Sequence, residues 1–310
     1  MDTYSAFARV YDRLMENVPY KEWADKLDKW IREYGITKPF CRAKDALESE
    51  RNLVLDMGCG TGIMTRLMHD KGYDMIGLDI SPQMLDEARG WQKDDDFGDA
   101  SDAGTKMSEI KCVQENFDFG MSDKEDLSVQ EDSEHVTGAG DDILYICQDM
   151  CELDLYSTVG SVISTCDSIN YLLEDEEILS CFNGVAKFLY PGGLFIFDYN
   201  TLHKYRDIIG ENVIAENTDE VSFIWENFFD EKSHVNECDL TLFVRRDDDL
   251  FAKEEEIHYQ RGFEIEEIRD FLAKAGLEVL VEEGDCEKLE DAERVFVVAR
   301  KAKNAIHSMI

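Results

Sequence analysis

Basic side chains are scarce in this chain: 32 lysines and arginines stand against 69 aspartates and glutamates, a formal net charge of −37. A surface so acidic repels phosphate backbones and anionic headgroups, because binding either calls for a basic patch. Neither nucleic acid nor a membrane is therefore expected as a partner. No uncharged run approaches the ~18 residues of a membrane span. The stretch MDTYSAFARVYD has no basic region followed by an apolar one, so it does not read as a signal peptide. The nine cysteines include no C-x-x-C pair, and Cys147 and Cys151 have no histidine at metal spacing. No metal site is expected, and the thiols are expected to be free. Free thiols without a leader point to the cytoplasm.

What the chain does have is a 44% hydrophobic fraction over 310 residues, enough for one large α/β domain with insertions. The first 35 residues read as helical, with Tyr20, Trp23, Leu27, Trp30, Ile31 and Tyr34 at helical spacing and Gly35 as a stop. Residues 36–51 read as a linker. Strand and helix signals then alternate. Leu53–Met57 is an apolar run entering a glycine-rich turn, Ile63, Met64, Leu67 and Met68 form a helix face, and Met75–Leu78 is a second strand ending at Asp79. Ser81 is placed to cap a helix that begins at Pro82.

Regularity stops near Asp94. Residues 94–141 hold fifteen acids and three lysines with weak apolar periodicity, and read as an insertion on the surface. Strands return at Ile143–Cys147 and Val162–Thr165. A helix over Ile178–Leu189 follows, then a sharp turn at Pro191-Gly192-Gly193 that feeds a strand over Leu194–Phe197. Strands alternating with helices imply a doubly wound, mostly parallel sheet with helices on both faces. Residues 218–262 break the rhythm with three strands joined by short polar turns, an antiparallel β excursion. Glu264–Ala275 reads as a helix, and Leu277–Val281 and Val295–Ala299 as the last two strands.

The stretch that carries chemistry is Asp56-Met57-Gly58-Cys59-Gly60-Thr61-Gly62, a strand end running into a glycine turn and a helix. Glycine lets the backbone turn tightly and approach a ligand. A nicotinamide-dependent oxidoreductase is the obvious rival. However, G-x-G-x-x-G would need glycine where Ile63 stands, and the Asp56 carboxylate would repel a pyrophosphate. Asp79 ends the next strand, where a carboxylate can take both hydroxyls of a ribose.

These residues resemble the class I S-adenosylmethionine-dependent methyltransferases. The resemblance covers D-x-G-x-G-x-G at Asp56–Gly62, Asp79 with Ile80-Ser81, Gln148-Asp149-Met150 and Tyr190-Pro191-Gly192-Gly193. Tyr4-Ser5-x-Phe7-Ala8-x-x-Tyr11-Asp12 is similar to small-molecule methyltransferases that close over the cofactor with an N-terminal helical lid. The resemblance implies a Rossmann-like seven-stranded sheet with S-adenosylmethionine as cofactor. It divides the chain into a lid and linker (1–50), a cofactor-binding core (51–200), the β excursion over an acceptor site (201–262) and the closing helix and strands (263–310).

It also implies roles. Asp56, Gly58 and Gly60 line the methionine end and Asp79 holds the ribose. Ile80 and Met84 pack the adenine, Asp149 accepts from its amino group, and the Met150 amide meets the ring. Cys166 offers its carbonyl to the methionine ammonium, and Tyr11 comes from the lid. By position alone, Tyr171, Asp198 and Asn200 follow strand ends where an acceptor would sit. The expected reaction is methyl transfer to a small molecule. No side chain is assigned as a catalytic base, because the sulfonium is already an activated donor and approximation can supply ~7–11 kcal/mol. A protein that keeps the cofactor for regulation without turnover is the third reading, and the oligomeric state is left open.

Overall fold

A computed structural model describes residues 7–39, 46–94, 143–246 and 250–303. The acidic stretch expected to be an insertion lies outside the described residues except for Asp94. In chain order the elements are α1 (Phe7–Leu14), α2 (Tyr20–Tyr34), α3 (Ala46–Asn52), β1 (Leu53–Met57), α4 (Ile63–Asp70), β2 (Asp74–Asp79), α5 (Pro82–Asp94) and β3 (Leu144–Cys147). There follow β4 (Val159–Ser164), α6 (Asp175–Phe188), β5 (Leu189–Asn200), β6 (Val213–Asn217), β7 (Val221–Asp230), β8 (Val235–Arg245), β9 (Phe251–Arg261), α7 (Ile265–Lys274), β10 (Leu277–Gly284) and β11 (Arg294–Lys301).

The main sheet has seven strands in the order β10-β11-β5-β4-β1-β2-β3. Its pairs are parallel except those made by β11, which runs against both neighbours. This is the doubly wound, mostly parallel sheet expected. Its central strands are buried on both faces, so consecutive side chains serve different cores. In β5, Phe195, Phe197 and Tyr199 join α6 and α7 on one side, while Leu194 and Ile196 join α2, α4 and α5 on the other. The aromatic stripe of α2 is explained here, as Trp23 and Trp30 both pack on Phe296 of β11.

Three expectations are corrected. The supposed linker contains α3, which packs against β4 so closely that a Cβ on Gly160 would stand 1.7 Å from the Arg51 carbonyl oxygen. Pro191-Gly192-Gly193 is not a turn before the strand but an irregularity within β5. Val159 pairs with Leu189 and Ser161 with Leu194, so the extra residues are absorbed between them. The excursion is a separate antiparallel sheet, β6-β7-β8-β9, with one strand (β6) more than the sequence suggested. All five residues of β6 are exposed, so no buried alternation marked it. Val10 and Leu14 of α1 pack onto the inner face of this sheet beside Val221, Leu240 and Leu242. Among the described residues no helix is long and apolar enough to cross a membrane.

Candidate functional site

Strand order reverses at β1, which has β4 on one side and β2 on the other. Ligands of doubly wound sheets lie at the carboxyl ends of the strands beside such a switch. The glycine loop leaves β1 at this point. Gly58 and Gly60 have positive φ, and the amides of Gly58 and Cys59 both donate to the Leu78 carbonyl, which locks the loop to β2. Gly58 is also a close approach: a Cβ there would lie 2.6 Å from Ser168 Oγ.

Asp79 is fixed from two sides. Its Oδ2 accepts from the Gly60 amide and its Oδ1 from the Ser81 amide, each at 2.8 Å. Burial pushes its pKa up, against the pull of these amides. Ser81 Oγ in turn accepts from the Met84 amide, the cap anticipated for α5. Asp149 begins a short turn and accepts from the Cys151 amide at 2.8 Å. Thr61 Oγ1 donates to Asp12 Oδ1 at 2.5 Å, tying α1 to the glycine loop.

A cavity of about 580 Å³ opens along this edge. Tyr11, Gly58, Gly60, Asp79, Ile80, Met84, Asp149, Met150 and Cys166 all line it. Ile80 is 61% exposed although apolar, so its side chain forms an open flank beside Asp79. The structure therefore brings together nine of the ten residues named from the sequence. Asp56 stands apart, behind the loop in a small side pocket with Tyr20 and Thr61. It is fully buried and accepts from Thr65 Oγ1 at 2.5 Å. Burial raises its pKa to about 7, the Thr65 hydroxyl opposes that rise, and the Asp79 charge adds to it.

The far half of the cavity was largely missed by sequence reasoning. Tyr171 and Asn200 line it as suggested, but Asp198 lies beneath, fully buried and ion-paired to Arg294. Arg294 also holds Asp167 at 2.8 Å, and Asp167 accepts from Gln260 Nε2 at 2.7 Å. Cys166 and Asp167 are both left-handed, with φ of 61° and 54°, a strained rim that these bonds hold in place. Burial pushes Asp167 up, but Arg294 and Lys204 outweigh it and hold the carboxyl below its usual range. Lys204 Nζ donates to Asn200 Oδ1 at 3.0 Å, and burial lowers its pKa. Tyr205 donates to Gln260 Oε1 at 2.9 Å. Phe223 and Trp225 from β7, Cys238 and Leu240 from β8, and His258 from β9 complete this half. Charge pairs spanning up to 127 residues of sequence leave no local signal.

Comparisons agree with this geometry. Residues 54–137 match a family described as "Methyltransferase domain". A candidate methyltransferase of Geobacillus sp. (strain WCH70) is 29% identical over 302 residues, covering 96% of this chain and 100% of the relative. The candidate methyltransferase YqeM of Bacillus subtilis (strain 168) is 27% identical, covering 98% and 99%. In fold, the chain is similar to an S-adenosylmethionine-dependent methyltransferase from Clostridium acetobutylicum ATCC 824, with a TM-score of 0.69 at 23% identity over 96% of this chain and 99% of that one. In its matched domain, its relatives and its fold the chain is similar to the S-adenosylmethionine-dependent methyltransferases. Its donor set fits that cofactor. The methyltransferase carries two fixed carboxylates, Asp79 and Asp149, in one cavity whose lining also includes the apolar Leu78, Ile80, Met84 and Met150 and the loop glycines Gly58 and Gly60.

Proposed function

We propose that this methyltransferase acts on a small polar molecule held in the far half of the cavity, under the second sheet. The observation that carries the proposal is that one cavity is lined both by the nine residues given cofactor roles from the sequence and by residues of β7–β9, α1 and the Asn200–Tyr205 segment. A volume of about 580 Å³ lies within the roughly 300–1,000 Å³ range typical of small-ligand sites. The net charge of −37 also disfavours a nucleic-acid acceptor.

In this reading Asp79 takes the ribose hydroxyls and Asp149 the adenine amino group, with Ile80, Met84 and Met150 against the ring. The Cys166 carbonyl and Asp56 serve the methionine end. The cofactor supplies an electrophilic methyl group bound to a sulfonium. The protein's own task is to orient the acceptor and to exclude water. Tyr11, Leu14, Met15 and Val18, from α1 and the turn after it, cover the cavity on one side, and Phe223 and Trp225 cover it on another.

Calorimetry with S-adenosylhomocysteine is the direct test. Saturable binding at one site per chain is expected, with no competition from NAD. Binding of NAD and none of S-adenosylhomocysteine would overturn the cofactor roles given to these residues.

A further inference from the structure

Lys204 brings a cation to the far half of the cavity without bringing it to an acid. It opens the helical turn Lys204–Ile209 after β5, where its amide donates to Thr201 Oγ1 at 3.2 Å. Its half-buried side chain lines the cavity, whereas Arg206, two residues on, is exposed and pairs with Asp207. Among the described residues Lys204 Nζ makes one hydrogen bond, to Asn200 Oδ1 at 3.0 Å, and no ion pair. The chain has 69 acids for 32 lysines and arginines, so the gap does not come from a shortage of carboxylates.

The neighbours account for it. Asn200 Nδ2 donates to the Tyr205 hydroxyl, Tyr205 donates to Gln260 Oε1, and Gln260 Nε2 donates to Asp167 Oδ2. Asp167 Oδ1 accepts from Arg294. This run of bonds turns Asn200 Oδ1 toward Lys204 and commits Asp167 to other donors. The remaining acids of the cavity are committed as well. Glu177 Oε2 accepts from the Leu173 and Glu174 amides, and Asp79 and Asp149 hold backbone amides on the cofactor side. Burial lowers the Lys204 pKa, and Arg294 adds to that; the charges of Asp167, Glu293 and Asp198 oppose it. An ammonium carries three donors, of which one amide oxygen uses one. A cation withdrawn from water in this way is costly unless a further acceptor completes it.

We infer that Lys204 anchors a carboxylate subsite, and that the methyl acceptor is accordingly a small organic acid. This rests on the methyltransferase reading above and narrows its small polar acceptor to one class. A carboxylate offers oxygens to the remaining N–H donors in charge-assisted bonds, which are stronger than neutral ones. A phosphate dianion fits less well, because Asp167 and Glu177 line the same cavity and one ammonium offsets only one charge. The body of the acid is apolar, since Ile209, Phe223, Trp225 and Leu240 line the cavity with Lys204, and β7 packs against the Lys204–Ile209 turn.

The test is calorimetry on the full-length protein saturated with S-adenosylhomocysteine. The probes are acetate, benzoate and phenylacetate, with their amides as neutral counterparts and phenyl phosphate as the other anion. At least one carboxylate should bind at one site per chain, and at least about tenfold more tightly than its amide, as expected for hydrogen bonds to a charged group. Lys204→Met should erase that preference and Lys204→Arg should keep part of it, with melting temperature and S-adenosylhomocysteine affinity held in both. No binding of any carboxylate, equal binding of acid and amide, a preference that survives in Lys204→Met, or phenyl phosphate binding more tightly than every carboxylate overturns the inference. The comparison of acid with amide is made on the wild type, so it stands even if Lys204→Met does not fold. S-adenosylhomocysteine separates the two failures: if it does not bind the wild type, the methyltransferase reading fails, and if it binds while the carboxylate results are negative, only the subsite fails.

Discussion

Gly60 and Asp79, nineteen positions apart, are joined by a hydrogen bond of 2.8 Å from the glycine amide to Asp79 Oδ2. The acid that ends β2 thus fixes the loop that ends β1, and both reach the cavity at one rim. Asp79→Ala removes this anchor along with the carboxylate for the ribose. Each hydrogen bond to a charged acceptor contributes roughly 1.5–3 kcal/mol. Affinity for S-adenosylhomocysteine should fall by about ten- to a hundredfold, as measured by calorimetry. Asp79→Asn, which keeps one acceptor oxygen, should fall less. An unchanged dissociation constant in Asp79→Ala would reduce the residue to a loop anchor.

Asp56 predicts a pH dependence of stability. Burial raises its folded pKa from 3.8 to about 7. Between those values the folded protein holds a proton that the unfolded chain has lost. The stabilising contribution of the neutral carboxyl is therefore full below about pH 3.8 and is lost as pH rises to about 7. Asp56→Asn should flatten that slope. Urea denaturation of both proteins at pH 5 and pH 7.5 checks it: the variant's advantage should be greater at pH 7.5. Equal differences at the two pH values would show that Asp56 is ionised throughout.

Much of the sheet was legible because its strands are short apolar runs punctuated by glycine, proline and acids. Leu53–Met57 was read to the residue, and Gly58, Gly60, Asp79, Asp149 and Cys166, which the sequence places at or just after strand ends, all line the cavity. What was not legible has physical causes. Helix α3 is seven residues of mostly polar sequence, and its role is visible only against Gly160 of β4. The far half of the cavity is built by Arg294, Asp167, Lys204 and His258, whose partners lie across the fold. In β9 the apolar residues alternate as expected of a strand, but the polar face is the buried one, so pattern reading assigns the wrong face inward.

Arg294 should be the most destabilising of the site residues to remove. Its guanidinium pairs with Asp167 and Asp198 and lies 5.1 Å over the Trp23 ring. Burial and the Asp167 charge raise the pKa of Asp198, so it is the easier of the two acids to neutralise. Arg294→Met leaves two buried carboxylates without their cation, a change of about 3–5 kcal/mol for a broken buried pair. Adding Asp198→Asn should recover part of the loss. Chemical denaturation of the single and double variants measures this. A stabilisation by Asp198→Asn in the wild-type background as large as that in the Arg294→Met background, or no recovery in the double variant, would refute the pairing.

Two glycines with opposite surroundings separate the conformational role of the loop from a general intolerance to substitution. Gly58 has φ of 74°, and its missing Cβ leaves room for Ser168, whose Oγ would otherwise stand 2.6 Å away. Ser168 cannot simply turn aside, because its hydroxyl donates to the carbonyls of both Gly58 and Thr165. Alanine at this position meets a left-handed penalty of roughly 1–2 kcal/mol in addition to the clash. Gly90, within α5, has no left-handed angle, and among the described residues nothing beyond its chain neighbours and its own helix backbone comes within 4 Å of its would-be Cβ. Alanine there should stabilise the protein by up to about 1 kcal/mol, since glycine in a helix interior costs roughly that much. Gly58→Ala should therefore lower the denaturation midpoint and weaken S-adenosylhomocysteine binding by at least about tenfold, while Gly90→Ala raises the midpoint and leaves binding alone. Binding unchanged in Gly58→Ala would mean that the loop can give way without disturbing the cavity, and would remove Gly58 from the cofactor site.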